Sequence, residues 1–312
     1  MHSGMKTLPL LTLITLQAPL TAAAGVNMKS GSFSQTWRDL GGLTRSYDSH
    51  SMHDGLFGFG WCSELETKLR FRDGRPELER CGLAAPGVRV ARRSETYVFA
   101  ARGGSELVFD RLGRLTNANG PDYRYLLSYS PSNFPNHTPS QITDLKNNQT
   151  WNVELTVGGQ RIGRFKASHG REVTFHYSGR GDLVEVRESG KPPAFFEYDD
   201  LHNLIAYTTP LGLTERVTYL SDLDVVTAYK RENGCEETFA YQSRRGTALA
   251  VETATARITC GAKHTTLTYE FQYFIFPEGG ARLARTKSTV NGTVRQVIEH
   301  AERRPARRAS GV

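Results

Sequence analysis

Long apolar runs are few in this chain, and beyond its first residues no stretch approaches the length needed to cross a membrane. No CxxC pair or Cys/His cluster is present, so the usual zinc frameworks are excluded. There is no G-x-S-x-G elbow for a serine nucleophile. Gly103-Gly104 and Gly279-Gly280 lack the strand, glycine loop and helix that cradle a phosphate. Charge of one sign is modest too. The formal net charge is +7 over 312 residues, and part of it is local: Arg303, Arg304, Arg307 and Arg308 against Glu299 and Glu302 give the last fourteen residues +2. What remains is a mildly basic surface, not the footprint of a nucleic-acid binder. The abundant residues are those of turns and rings. Gly 30, Tyr 13 and Phe 15 suit a turn-rich β protein better than a helical one.

Tyr177, Tyr198, Tyr219 and Tyr241 recur at intervals of 21, 21 and 22 residues. Two residues before them stand Phe175, Phe196, Val217 and Phe239, and six after the first three stand Leu183, Leu204 and Val225. A fixed period of this length marks a repeat architecture. On an extended chain Phe175/Tyr177 and Phe196/Tyr198 point to one face. Turn-prone stretches follow at 178–182, 199–203 and 220–224. Then come second strands, with Val184/Val186, Ile205/Tyr207 and Val226/Ala228 read as sharing a face. Each unit is therefore a β-hairpin. A lone hairpin is marginal in water, so the units must stack edge to edge. A tyrosine that returns with every unit is a structural rung before it is a catalytic residue.

Lys6, the apolar stretch Leu8–Leu16 and the small residues Ala22-Ala23-Ala24 follow the plan of a secretory signal peptide, here assigned to residues 1–24. Export makes Cys62, Cys81, Cys235 and Cys260 candidates for disulfides. Of the three pairings, Cys62–Cys81 and Cys235–Cys260 are favoured because each lies within one local stretch of hairpins. Such loops stabilise by about 3 kcal/mol each. Residues 25–125 read as an N-terminal β domain with first hairpins, among them Tyr97-Val98-Phe99 and Leu107-Val108-Phe109 around Arg102-Gly103-Gly104-Ser105. Residues 126–150, rich in Pro and Asn, read as a loop-like insertion. Residues 151–298 form the repeat region, in which Phe274-Ile275-Phe276-Pro277 is apolar without alternation. Residues 299–312 form a basic, core-less tail.

The opening Val26-Asn27, Gly31-Ser32-Phe33, Asp39-Leu40, Leu43-Thr44-Arg45-Ser46-Tyr47-Asp48-Ser49 and Gly58-Phe59-Gly60-Trp61 resembles the N-terminal domain of Rhs-type proteins. That domain shows a "VN..TG" start, an "R-Y-N-S" strand and a "G.GW" turn. The hairpins resemble YD repeats, with core Y-D-x-x-G-R-L. Phe109-Asp110-Arg111-Leu112-Gly113-Arg114-Leu115 departs from that core only in Phe for Tyr. Tyr198-Asp199 keeps the pair, with His202-Asn203 where Gly-Arg is usual; the Tyr177 and Tyr219 units lose the Asp. Phe109, Tyr177, Tyr198, Tyr219 and Tyr241 would form the spine. The resemblance implies an all-β fold of stacked hairpins forming a curved open sheet, part of the hollow shell that encloses a C-terminal toxin in the family. Other members act at cell surfaces. The "DP.G" segment associated with self-cleavage is not seen, and neither is a toxin payload.

Other constellations are weaker. His50 and His53 make an H-x-x-H beside Asp54, but in a turn-like stretch where a solvated loop is the simpler account. Asp199-Asp200 and Asp222/Asp224 supply paired carboxylates, yet at turn positions where Asp serves backbone capping. The tyrosine face is capable of glycan stacking, set against rings that pack between hairpins. The sequence thus leads to a secreted, periplasmic or cell-surface shell or scaffold fragment. It would have no catalytic, metal or cofactor site, and a toxin or other shell segments as partners. No nucleic acid and no stable membrane span after signal removal are expected. The alternatives are a stand-alone adhesin or glycan-binding module and, third, a periplasmic hydrolase using the scattered Asp and His.

Overall fold

The computed structural model describes residues 24–300 apart from 40–42, 86–87, 102–103, 132–136, 157, 221–222, 247–248 and 277–278. The leader, Gly103, Asp222 and most of the basic tail therefore lie outside the described residues. Among those described there is no α-helix, and the one 3-10 turn lying wholly within them is Glu64–Glu66. Nineteen strands, from Ala91–Arg93 to Thr293–Glu299, form a single antiparallel sheet in strict chain order, open at both edges. The residues before it make a small β domain: a four-stranded sheet that includes Phe33–Arg38, Thr44–Asp48 and Trp61–Ser63, a three-stranded sheet that includes Thr67–Arg72 and Arg75–Arg80, and a two-stranded ribbon. This domain packs on one face of the large sheet, and the two share one continuous core.

Each hairpin of the repeat is shaped by its turn. In the Phe109 unit Asp110 Oδ1 accepts from the backbone N–H of Leu112 and Arg114, both at 2.9 Å. In the Tyr198 unit Asp199 Oδ1 accepts from Leu201 at 2.9 Å and Asn203 at 2.8 Å. Ser178 Oγ does the same for Arg180 and Asp182. A short acceptor right after the aromatic thus satisfies the N–H groups that the reversal leaves unpaired. That is the physical content of the Y-D pair.

At the turn the register slips in the Phe109, Tyr177, Tyr198 and Tyr219 units, whereas the strand that carries Tyr241 pairs without a slip. Tyr177 opposes Leu183, but His176 opposes Glu185; Tyr198 opposes Leu204, but Glu197 opposes Ala206. Val184 and Ile205 are extra residues of β-bulges. The faces expected for Val184/Val186, Ile205/Tyr207 and Val226/Ala228 are corrected accordingly. The deeply buried core pairs are Leu183 with Val186, Leu204 with Tyr207, and Val226 with Tyr229, each three apart. In the Tyr219 unit Tyr219 opposes Val226, so Val226 and not Val225 is the counterpart of Leu204. A bulge adds local twist and bends its strand. Repeated in these four units, it curls the sheet around the small domain.

Residues 126–150, read as an insertion, carry part of the ladder. Gln141–Asp144 pairs with Arg124–Ser128 on one side and Gln149–Leu155 on the other. Ile142 and Trp151 are buried opposite one another, and Asp144 accepts from Lys146 N–H at 2.9 Å to close the turn. Asn147 and Asn148 belong to the turn that joins these strands, while Asn133, Pro135 and Asn136 lie outside the described residues.

The spine residues point into the core. Phe109 is fully buried, and the four tyrosine rings pack against it as partly buried members. Tyr177 Oη donates to Ile162 O at 2.8 Å and Tyr219 Oη to Leu204 O at 3.1 Å. Tyr129 makes the same bond to Leu115 O at 2.7 Å, a rung that the period alone does not reveal. Each hydroxyl ties its hairpin to the apolar residue that opens the second strand of the hairpin before. Both disulfides are present: Cys62–Cys81, with Cα atoms 5.6 Å apart, and Cys235–Cys260, at 4.4 Å.

Candidate functional site: the seam between the small domain and the repeat sheet

The strand Thr44–Asp48 alternates, turning Arg45 and Tyr47 inward. Arg45 is 0% exposed. Its Nε donates to Asp39 Oδ2 at 3.0 Å, and the terminal nitrogens Nη1 and Nη2 have no hydrogen-bond partner among the described residues. Aromatic faces take their place. The guanidinium carbon lies 4.3 Å from the Trp61 ring centre, 5.3 Å from Phe196, 5.6 Å from Trp37 and 5.9 Å from Phe175. Desolvated cation–π contacts of this kind contribute about 2 kcal/mol or more. Two walls of the box come from the small domain, while Phe175 and Phe196 are the phenylalanines that precede the repeat tyrosines. The repeat pattern therefore delivers one aromatic per hairpin to the arginine.

The same strand locks onto the next turn. Tyr47 Oη donates to His202 O at 3.0 Å and accepts from Leu204 N–H at 2.9 Å. Trp61 Nε1 donates to Tyr198 Oη at 2.9 Å. Gly58 and Gly60 have φ of +88° and +77°. A Cβ on Gly58 would sit 2.5 Å from Gly181 O, and one on Gly60 2.5 Å from the Tyr47 ring. The G.GW spacing thus lets backbone meet backbone while Trp61 enters the core.

Burial in this box pushes the Asp39 carboxyl up to about 6, outweighing the neighbouring Arg45 guanidinium that pulls it down. A carboxyl raised above its unfolded value of 3.8 binds its proton more tightly in the folded chain. Its contribution to stability is fully present below about pH 4 and is lost as pH rises through about 6, a span of roughly 3 kcal/mol. Urea unfolding at pH 7 and pH 4.5 is expected to show the wild type gaining stability relative to Asp39→Asn at the lower pH. A difference between the two proteins that does not change with pH would contradict this assignment.

The histidines of the H-x-x-H part company. His50 Nε2 meets Asp224 O at 3.0 Å across the seam, whereas His53 Nε2 meets Glu66 Oε1 at 2.7 Å. His53, Glu66 and Cys81 place donor atoms within 4.8 Å of one another. The Cys81 sulfur is bonded to Cys62, and Glu66 also accepts from the N–H groups of Leu56 and Ser63. This cluster builds the 3-10 turn and its cap. Beside it opens a cleft of about 510 Å³, lined by His53, Lys68, Arg114, His137 and Arg161 among others. Its cations are matched by carboxylates: Lys68 with Glu79 at 3.3 Å, Arg114 with Asp110 at 2.7 Å, and Arg161 with Asp54 at 2.7 Å, the last across the seam. The paired carboxylates of the repeats are equally engaged. Asp199 caps its turn, Asp200 meets Arg180 at 2.8 Å, and Asp224 accepts from Asn203 at 2.9 Å. Asp182, buried, meets His202 at 2.5 Å, and Phe59 stacks on that imidazole at 4.5 Å. Of these polar pairs, His50 with Asp224 and Asp54 with Arg161 fasten one domain to the other.

A domain described as DUF6531, of unknown function, matches residues 24–81. No curated protein matches the chain. The DUF6531 segment coincides with the small domain as far as Cys81, so every small-domain residue of the arginine box lies within it. No helix among the described residues is long and apolar enough to cross a membrane. Sequence reasoning quoted Arg45, Asp39 and Trp61 as motif letters but gave them no role. It also missed Glu215, a buried carboxylate that accepts from both Tyr207 and Tyr229. The available signal was a second tyrosine series, Tyr207 and Tyr229, lying 22 residues apart.

Proposed function

We propose that this chain is a non-enzymatic scaffold of the Rhs/YD-repeat type, exported from the cell, whose curled sheet forms part of a wall around a toxin polypeptide or a cell-surface partner. The observation that carries the reading is the arginine box. A DUF6531-matching domain is locked by Arg45, Tyr47 and Trp61 onto aromatics that recur once per hairpin, which supports a wall-building role over a catalytic one. Two disulfides support export. An adhesin that stacks glycans on the repeat tyrosines has less support, since those rings are engaged with core and carbonyls.

Co-expression with the polypeptide encoded beside it tests the proposal. The neighbour is expected to co-purify and to resist added protease only in the presence of this chain. A neighbour that stays separate and protease-sensitive would count against the scaffold. A hydrolytic activity abolished by His53→Ala or Asp199→Asn would overturn the non-enzymatic reading outright.

A further inference from the structure

The large sheet changes character after its repeat block. Strands of 6 and 7 residues give way to Glu236–Arg245, Leu249–Cys260, Lys263–Ile275 and Ala281–Val290, of 10, 12, 13 and 10 residues. Pairing of Glu236–Arg245 with the preceding strand stops at Thr238, while pairing with the following strand continues to Arg245↔Ala250. Two hairpins therefore run on together for about 20 Å, at 3.3 Å per residue, as a tongue. Its inner face leans on the small domain, where Lys29 Nζ lies 5.7 Å from the Tyr273 ring centre.

The outer face of the tip is built otherwise. Residues directly opposed in an antiparallel sheet share a face. The last row on this face is Leu249, Phe274 and Arg282, and the next is Arg244, Val251, Gln272 and Arg285. Leu249 is 41% exposed, Phe274 47% and Phe276 38%. The Arg282 guanidinium covers the Phe274 ring at 5.7 Å. Arg244 and Arg245 are exposed at the neighbouring turn. Among the described residues the nearest acids on the outer face are Glu299, which opposes Arg285 and pairs with it at 3.0 Å, and Glu270, a row further from the tip, which accepts from Gln272 at 2.7 Å. This explains the one stretch of the repeat region that fails to alternate: the apolar residues of 274–276 continue to the very turn, where a soluble hairpin would place polar ones.

Exposed rings and a leucine at a protruding turn, flanked by the guanidiniums of Arg244, Arg245 and Arg282, which have no ion-pair partner among the described residues, suit an interface where one layer is apolar and the next is negatively charged. We infer that the tip of this tongue rests on the surface of a bilayer carrying anionic lipid, with Leu249, Phe274 and Phe276 entering the headgroup boundary and Arg244, Arg245 and Arg282 meeting phosphates. The contact is peripheral, since a tip this small buries too little to span.

Flotation of the full chain with phosphatidylcholine vesicles, with and without phosphatidylglycerol, tests the inference. Wild-type protein is expected to float with the phosphatidylglycerol vesicles. Arg244→Gln with Arg245→Gln, both on exposed positions that leave the fold intact, should weaken binding roughly fivefold per arginine. Phe274→Ser with Phe276→Ser should weaken it about tenfold or more. Leu211→Ser, at an exposed turn on the opposite end of the hairpins, should change nothing. All proteins carry the same residues 1–23, so adsorption through that apolar segment is common to every arm. Wild-type protein that binds neither vesicle overturns the inference, and so does binding that survives both tip variants unchanged, the result expected of a tip that meets a protein instead.

Discussion

Trp61→Ala is expected to cost the protein about 3–5 kcal/mol, the range for deleting a large, fully buried aromatic. The tryptophan ring is the closest wall of the Arg45 box and packs against Phe196 at 5.6 Å. Its indole N–H is also the partner of Tyr198 Oη. Its loss leaves a cavity, a guanidinium with its best π face gone, and a phenol without a donor. Trp61→Phe should cost distinctly less, because a ring remains beside the arginine and only the hydrogen bond is lost. Chemical denaturation of the two variants measures the difference. If the alanine variant unfolds within 1 kcal/mol of wild type, about the size of an ordinary surface effect, the box is not what holds the domains together.

Reduction of both disulfides is expected to remove roughly 6 kcal/mol in all, about 3 kcal/mol for each closed loop. The sequence separations of 19 and 25 residues are similar, so the two bonds should weigh nearly alike on chain entropy. Their local consequences should differ. Cys62 follows Trp61 directly, and Cys81 ends the strand Arg75–Arg80 at a residue with φ of +50°. Cys62→Ser with Cys81→Ser therefore loosens the seam itself. Cys235 and Cys260 flank the base of the tongue, and their replacement should free that hairpin while leaving the small domain seated. Hydrogen exchange on the two double variants separates these patterns. Identical exchange maps would show that each disulfide acts only through the unfolded chain.

Much of the fold is legible in the residues. The tyrosine period reports the hairpins because every unit reuses one turn, and the cysteine pairings follow from their placement in local hairpins. The bulges are hidden for a plain reason. Alternation along one strand says nothing of its partner's register, and Val184 and Ile205 are as apolar as the leucines they follow. The site was less legible still. Arg45 reads as a surface charge until Trp37 and Trp61 from its own domain and Phe175 and Phe196 from the repeat sheet surround it. Its burial depends on contacts between residues more than a hundred positions apart, which no local pattern encodes. Asp39 is hidden for the same reason, since its displaced titration arises from the assembled box and not from its neighbours in sequence.

The bulge that recurs in the Phe109, Tyr177, Tyr198 and Tyr219 hairpins makes each of these units self-contained in the direction its side chains face. Duplicating or deleting one whole period leaves the inward residues of all later units inward, whereas adding a single residue to a strand reverses them. The wall can therefore change length only in steps of a complete hairpin unit. Even those steps are not equivalent along the chain. A unit added after Tyr241 would move Tyr273 from Lys29 but leave the arginine box whole, whereas one added between Phe175 and Phe196 would carry one of these rings away from Arg45. Lengthening of the sheet that spares the arginine box is thus confined to places outside the stretch from Phe175 to Phe196.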